Sequence, residues 1–157
     1  MNAFECLGHD IYAVDAGYVR PLLSAIHLVV ENGRVAIVDT GSKDAVERTL
    51  DALKILDLTE ASVDYVMLTH VHLDHAGGAG QMMQAFPRAR LVVHPRGAPH
   101  MIDPSRLLAG VTAVYGAEEV GRLYGKILPI DEQRIILATH GSRVDLAGRE
   151  LLCLDTP

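Results

Sequence analysis

Apolar residues recur along this chain with two different periods, and the switches between them outline its elements. Leu28-Val29-Val30-Glu31 and Arg34-Val35-Ala36-Ile37-Val38 are β-rich runs on either side of Asn32-Gly33. Asn-Gly readily takes the two left-handed conformations that a tight hairpin turn needs, so 28–38 reads as a hairpin. The second run stops at Asp39-Thr40-Gly41, a turn. The period then lengthens. Ala45, Val46, Leu50, Leu53 and Ile55 or Leu56 share one helical face, which predicts a helix over 42–56 with Ser42 as its N-cap. Residues 63–68 are a short run with little polarity, as expected of a strand covered on both faces.

A polar stretch follows at 69–75, then a helical pattern over 76–86 that stops near Pro87. Leu91-Val92-Val93 is the next strand. The segment 94–104, with Pro95, Gly97, Pro99 and Pro104, reads as a loop or broken helix. A helix is expected over 117–124, strands over 134–138 and 144–146 around the turn Gly141-Ser142, and a last strand over 149–154. A hairpin, then alternating helices and strands, then a run of strands predicts an α/β layered protein with a mixed sheet.

Composition narrows the class of function. The 157 residues are 49% hydrophobic and 22% charged, an ordinary globular balance with enough length for one core. Net charge is −6, and Arg88 and Arg90 are the only local basic cluster, so nucleic acid is not expected as a partner. The longest apolar stretch, 22–30, is interrupted by Ser24 and His27 and is too short to span a membrane. The N-terminus shows neither a basic nor an apolar leader region, and Cys6 and Cys153 form no disulfide framework. Reduced thiols in a cytoplasm are the expectation.

The chemistry is concentrated in Thr69-His70-Val71-His72-Leu73-Asp74-His75, three imidazoles and a carboxylate within six residues. Extended backbone has period two, so His70 and His72 would leave the strand end pointing the same way and could share one metal. Asp74 and His75 follow as the chain turns into the next helix and could face a second ion. Imidazole suits zinc, iron and similar ions, and a carboxylate offsets their charge. Two such ions could hold a bridging hydroxide and polarise a carbonyl or phosphoryl oxygen.

The segment Thr69 to Gly78 resembles the His-x-His-x-Asp-His signature of the metallo-β-lactamase superfamily. Val38-Asp39-Thr40-Gly41 resembles that family's strand-ending Asp-Thr-Gly turn, and the 28–38 hairpin sits where the family places early strands. The resemblance implies an αββα sandwich, of which this chain would be half. It implies that His70 and His72 bind a first metal and Asp74 and His75 a second, with zinc expected and iron or manganese as alternatives. Asp39 would support the metal loop from behind, Gly77 and Gly78 would let it pack tightly, and Asp74 would also help orient the nucleophile.

The activity so implied is a dinuclear metallo-hydrolase, in which a metal-bound hydroxide attacks an ester, thioester, lactone or amide of a small molecule. Val71, where the glyoxalase II variant often has His, counts mildly against that variant, and a cytoplasmic placement counts against a β-lactamase. Two rival readings are a mononuclear iron dioxygenase acting on a persulfide, and a non-catalytic fragment or scaffold.

In relatives, a strand-ending Thr-Pro like Thr156-Pro157 is followed by Gly-His, whose histidine completes the first metal site. The resemblance therefore implies that 1–157 is the N-terminal portion of one such domain, ending before the third metal histidine. The remainder would come from further chain, a second chain or self-association.

Other residues carry weaker signals. His94 and His100 could line a cleft or be ordinary polar loop residues. His27 is expected to be packed within its strand and His140 solvated in a turn, while His9 says nothing. Tyr115, Tyr124, Met101, Leu107, Leu108 and Val111 could shape a pocket or simply pack a core. Cys153 is expected as a small buried hydrophobe. Ser24 and Ser105 lack a nucleophile-elbow setting. Two ligands per ion fall short of the usual three protein ligands of a catalytic zinc. A zinc titration should therefore show this chain binding more weakly than a version carrying the additional ligands; equally tight binding by both would refute the expectation.

Overall fold

The computed structural model describes residues 4–156. Four antiparallel strands come first: β1 (Phe4–Gly8), β2 (Ile11–Asp15), β3 (Ala25–Glu31) and β4 (Arg34–Val38). The expected hairpin is the β3–β4 pair, with Asn32 at φ 48° and Gly33 at φ 74°. Helix α1 (Ala45–Ile55) then crosses to β5 (Val63–Met67), which lies parallel to β4. Helices α2 (Leu73–Ala76) and α3 (Ala79–Ala85) lead to β6 (Arg90–Val93). Helices α4 (Ala98–Ile102), α5 (Ser105–Tyr115) and α6 (Ala117–Tyr124) lead to β7 (Ile135–Leu137). Both of these strands are again parallel to their neighbours, and the seven form one mixed sheet in chain order. Strands β8 (Arg143–Leu146) and β9 (Arg149–Leu152) make a separate antiparallel pair.

Alternation along the strands builds the layers. Ile26 and Leu28, Val35 and Ile37, Val66 and Leu68, and Leu91 and Val93 face one way, into a core shared with Leu53 of α1, Met82 of α3 and the neighbouring Phe86. The intervening Val29, Ala36, Tyr65, Met67 and Val92 face the other way, against Val144, Leu146 and Leu151 of the β8–β9 hairpin. Helices thus cover one face of the mixed sheet, and a two-stranded sheet covers part of the other. This is the α/β class that the pattern implied, in the form of half a layered sandwich.

Several expected boundaries shift, each for a local reason. Helix α1 begins at Ala45 after Asp44, not after Ser42, and its N-cap makes no side-chain bond. Ser42 is instead buried in the loop that runs beside the polar segment, where the Gly41 carbonyl accepts from the Gly78 amide at 3.0 Å. On α1, Thr49 is buried because its hydroxyl donates back to the Ala45 carbonyl at 2.8 Å, while Ile55 is left 63% exposed. The helix expected over 76–86 is two pieces, and the first starts inside the polar segment at Leu73. Gly77 and Gly78 lie between the pieces. A Cβ on Gly78 would sit 2.7 Å from the Thr40 carbonyl, so no larger residue fits this approach. The last strand ends at Leu152 rather than 154, because Cys153 pairs with the turn at Gly141 and Ser142.

The sequence pattern also left out β1, β2 and α5. The turn between β1 and β2 places His9 and Asp10 at φ 52° and 55° without the Asn-Gly signature, so nothing in the residues marks it. Among the described residues, no helix is long and apolar enough to cross a membrane.

Arg134, just before β7, ties the sheet to the end of α3. Its guanidinium donates to the Met83 carbonyl at 2.7 Å, in the last turn of α3, and to the Phe86 and Ala89 carbonyls at 2.8 and 2.7 Å in the segment that follows. Arg134→Ala should destabilise the fold by about 2–3 kcal/mol, the scale of a charge-assisted bond lost with its acceptors left unsatisfied. A denaturant midpoint unchanged from wild type would contradict this.

Candidate metal centre

Parallel pairing brings the ends of β4 and β5 to the same edge of the sheet, and the polar residues that follow both strands meet there. Asp39 is the first residue past β4. It sits at φ 59°, in the left-handed region that Asp tolerates better than most residues. Its amide donates to the Met67 carbonyl at the end of β5, at 2.8 Å. Its side chain, turned inward and 7% exposed, is a buried carboxylate that must be satisfied by donors.

Those donors come from the polar segment. The Thr69 amide reaches Asp39 Oδ1 at 2.9 Å, the Thr69 hydroxyl lies 2.9 Å from both carboxylate oxygens, and His75 Nδ1 lies 2.9 Å from Oδ2. Thr69 Oγ1 is also 3.0 Å from His70 Nδ1. The hydroxyl has one proton. Given to Asp39, it leaves the oxygen free to accept from His70 Nδ1–H. His75 Nδ1–H donates to the carboxylate directly. Both imidazoles are then fixed in the tautomer whose Nε2 carries the lone pair, as metal-binding histidines require.

The rings cluster. The centroid of His70 is 4.7 Å from that of His72, edge-on at 78°, and 4.3 Å from that of His75. His75 Nε2 lies 3.5 Å from Asp74 Oδ2. His70 therefore stands between its expected partner His72 and His75 of the other pair. Partial burial lowers the pKa of His70, and the neighbouring His75 and His72 lower it further, outweighing Asp39 and Asp74. A neutral imidazole is the form that offers a lone pair to a cation.

Helix α2 carries the other half of the set. Its first residue follows His72, and its single turn presents Asp74 and His75. The Thr40 amide and hydroxyl both donate to the His75 carbonyl, at 2.7 and 2.9 Å. The chemistry of the donors thus fits divalent cations. Among the described residues, however, no three His, Cys, Asp or Glu side chains are placed to hold one ion together. The arrangement offers pairs of donors.

The remaining candidates separate. His94, at the end of β6, lines a cleft of about 460 Å³ together with Thr69, Cys153 and Asp155, and its Nε2 is 3.9 Å from Asp155 Oδ1. His100 does not line that cleft and sits half-buried on α4. His27 is half-buried in β3, and His140 is exposed in its turn. Cys153 departs from expectation. It is half-buried and beyond the end of β9, and burial raises its thiol pKa. Tyr115 is 56% exposed, whereas Tyr124 is buried in a small cluster that includes Leu73. Reading the sequence alone missed the bridging role of Thr69, and nothing singled out Asp155. Thr69 could have been found as the hydroxyl directly preceding the first histidine.

Comparisons with known proteins place the fold in a family. Residues 19–148 match the model of the metallo-beta-lactamase superfamily. A hydroxyacylglutathione hydrolase of Aeromonas salmonicida (strain A449) is 39% identical over 66 residues, covering 42% of this chain and 24% of that protein. A metallo-beta-lactamase fold-containing protein of Sulfurisphaera tokodaii is 21% identical over 158 residues, covering 94% and 54%. The structure of BJP-1, a subclass B3 metallo-beta-lactamase of Bradyrhizobium japonicum, superposes with a TM-score of 0.69 at 22% identity, covering 99% of this chain and 52% of that one. The chain thus spans about half the length, or less, of these relatives. With the family sequence matched over most of its length and the fold superposing on a solved member, the chain belongs to the metallo-beta-lactamase superfamily.

Proposed function

We propose that this chain is the metal-binding part of a hydrolase with two divalent ions, most readily zinc. His70 and His72 would hold one ion, and Asp74 and His75 the other. The observation that carries the reading is the double use of Asp39: one buried carboxylate fixes His75 directly and His70 through Thr69, two rings whose centroids lie 4.3 Å apart, so that Nδ1 is the engaged nitrogen in both. A network that sets two tautomers at once has little purpose for solvated loop histidines.

Divalent ions held by His70, His72, Asp74 and His75 would supply Lewis-acid activation of water and of a substrate carbonyl. The chain's own residues then have three tasks. Asp39 and Thr69 hold the imidazoles in place and set their tautomers. Asp74, on the α2 turn beside His75, would add the negative charge that the neutral rings lack, and would help orient a nucleophile through a hydrogen bond. The cleft lined by Thr69, His94 and Cys153 offers a half-apolar wall for a small ester, thioester, lactone or amide. Among the described residues these donors come in pairs.

Hydroxyacylglutathione is the first substrate to try, since a relative is named for its hydrolysis. A panel that adds lactones and simple thioesters, assayed on the zinc-loaded protein, tests the reading. His70→Ala should reduce any turnover to background, and turnover unaffected by it would end the proposal. Asp39→Asn should weaken zinc binding by about 10–100-fold, the usual cost of losing a carboxylate behind a ligand histidine. Competition against a chromophoric chelator measures this directly, and wild-type affinity in that variant would contradict it.

A further inference from the structure

The α2 turn cannot hold itself. It has four residues, and the bonds that run along it are local: His75 N to His72 O (3.0 Å), Ala76 N to His72 O (2.7 Å) and, from the residue after it, Gly77 N to Leu73 O (2.9 Å). One helical turn alone is far below the length that is stable in water. His72 at its start makes no side-chain cap bond. Its C-terminal side is tied down by Thr40, which donates twice to the His75 carbonyl. On its N-terminal side, the described hydrogen bonds include only a long contact from Ser24 Oγ to the Asp74 carbonyl, at 3.5 Å. Something else must fix the side that presents Asp74.

The residue just before Asp74, Leu73, is held by aromatic packing. Leu73, 3% exposed, is buried together with Val120 and Tyr124 of α6, and Tyr18, from the loop between β2 and β3, packs against the same cluster. The rings of Tyr18 and Tyr124 stack at 5.8 Å with 21° between their planes, and their hydroxyls are 3.0 Å apart. Leu107, Leu108 and Val111 of α5 back them. We propose that the stacked Tyr18–Tyr124 pair is the positioning element for α2, holding Leu73 so that Asp74 and His75 face the other histidines. Two segments far apart in sequence, the β2–β3 loop and the helices before β7, are thereby joined to the metal-ligand turn. Burial raises the Tyr124 pKa, its bond to Tyr18 adds to this, and the nearby negative charge of Asp74 adds again. The phenol therefore stays neutral beside that carboxylate.

The consequence for metal rests on the reading under Proposed function, but the positioning itself does not, so the test separates them. Tyr18→Ala removes half of the stack from a half-exposed loop residue and should leave the fold intact. In the metal-free protein, backbone amide exchange at His75, Ala76 and Gly77 should accelerate by about tenfold, while Ile37 and Val66 in the sheet stay within about twofold. Tyr124→Phe keeps the ring and should hold exchange on α2 within about twofold of wild type. In a zinc titration followed by the ring signals of each histidine, Tyr18→Ala should raise the apparent Kd at His75 by about fivefold and leave His72 within twofold. Unchanged exchange on α2, or equal acceleration in the sheet, overturns the inference. If zinc moves no ring signal in the wild type, the metal reading fails, and the exchange result still decides the positioning.

Discussion

A carboxylate buried at the exit of β4 organises the whole polar edge of this protein. Asp39 stands in left-handed backbone, and its inward turn would be costly without donors to meet it. The donors it recruits are the amide and hydroxyl of Thr69 and a ring nitrogen of His75. Satisfying one anion therefore fastens the end of β5, the first histidine and the last histidine to a single point. The bond from its amide to Met67 closes the same junction from the backbone side. Remove the charge, and the strand ends remain adjacent, but nothing tells the imidazoles which nitrogen to present.

The sheet beneath makes that junction possible. Parallel strands β4, β5 and β6 all end at one edge, and their alternate residues divide cleanly between a helix-side core and a thinner hairpin-side cluster. The rigid elements finish just where the chain must become irregular. The irregular part is compact because Gly78 passes within reach of the Thr40 carbonyl, and because Thr40 takes up the His75 carbonyl. Loops tied at this density can hold side chains as precisely as strands do.

Much of this was legible in the residues. Asn32-Gly33 announced the hairpin, and the polar run from His70 to His75 announced a cluster of imidazoles beside a carboxylate, because each signal is local. The strand preceding the cluster and the helix over 117–124 emerged for the same reason. What stayed hidden depends on partners distant in sequence. Thr69 bridges His70 to Asp39, thirty residues upstream of it, and no spacing rule reveals that bond. Tyr18 meets Tyr124 across 106 residues. The turn at His9 and Asp10 uses two left-handed non-glycine residues in place of Asn-Gly, and Ser42, a good cap by type, is buried in a neighbouring loop before the helix begins.

The in-step pairing of β4 with β5 carries a further consequence. Ile37 faces Val66 and Val38 faces Met67, so Asp39 comes level with Leu68 beyond the last rung and Thr69 stands one residue past it, within reach of the Asp39 carboxylate. Adding or deleting a single residue between Met67 and His70 would turn the imidazoles to the opposite side of the edge and move Thr69 out of reach of its anion. This junction works as a ruler with no slack. Variation in length within such a chain is tolerable in the long crossover between β6 and β7, and ruinous in the three residues that leave β5.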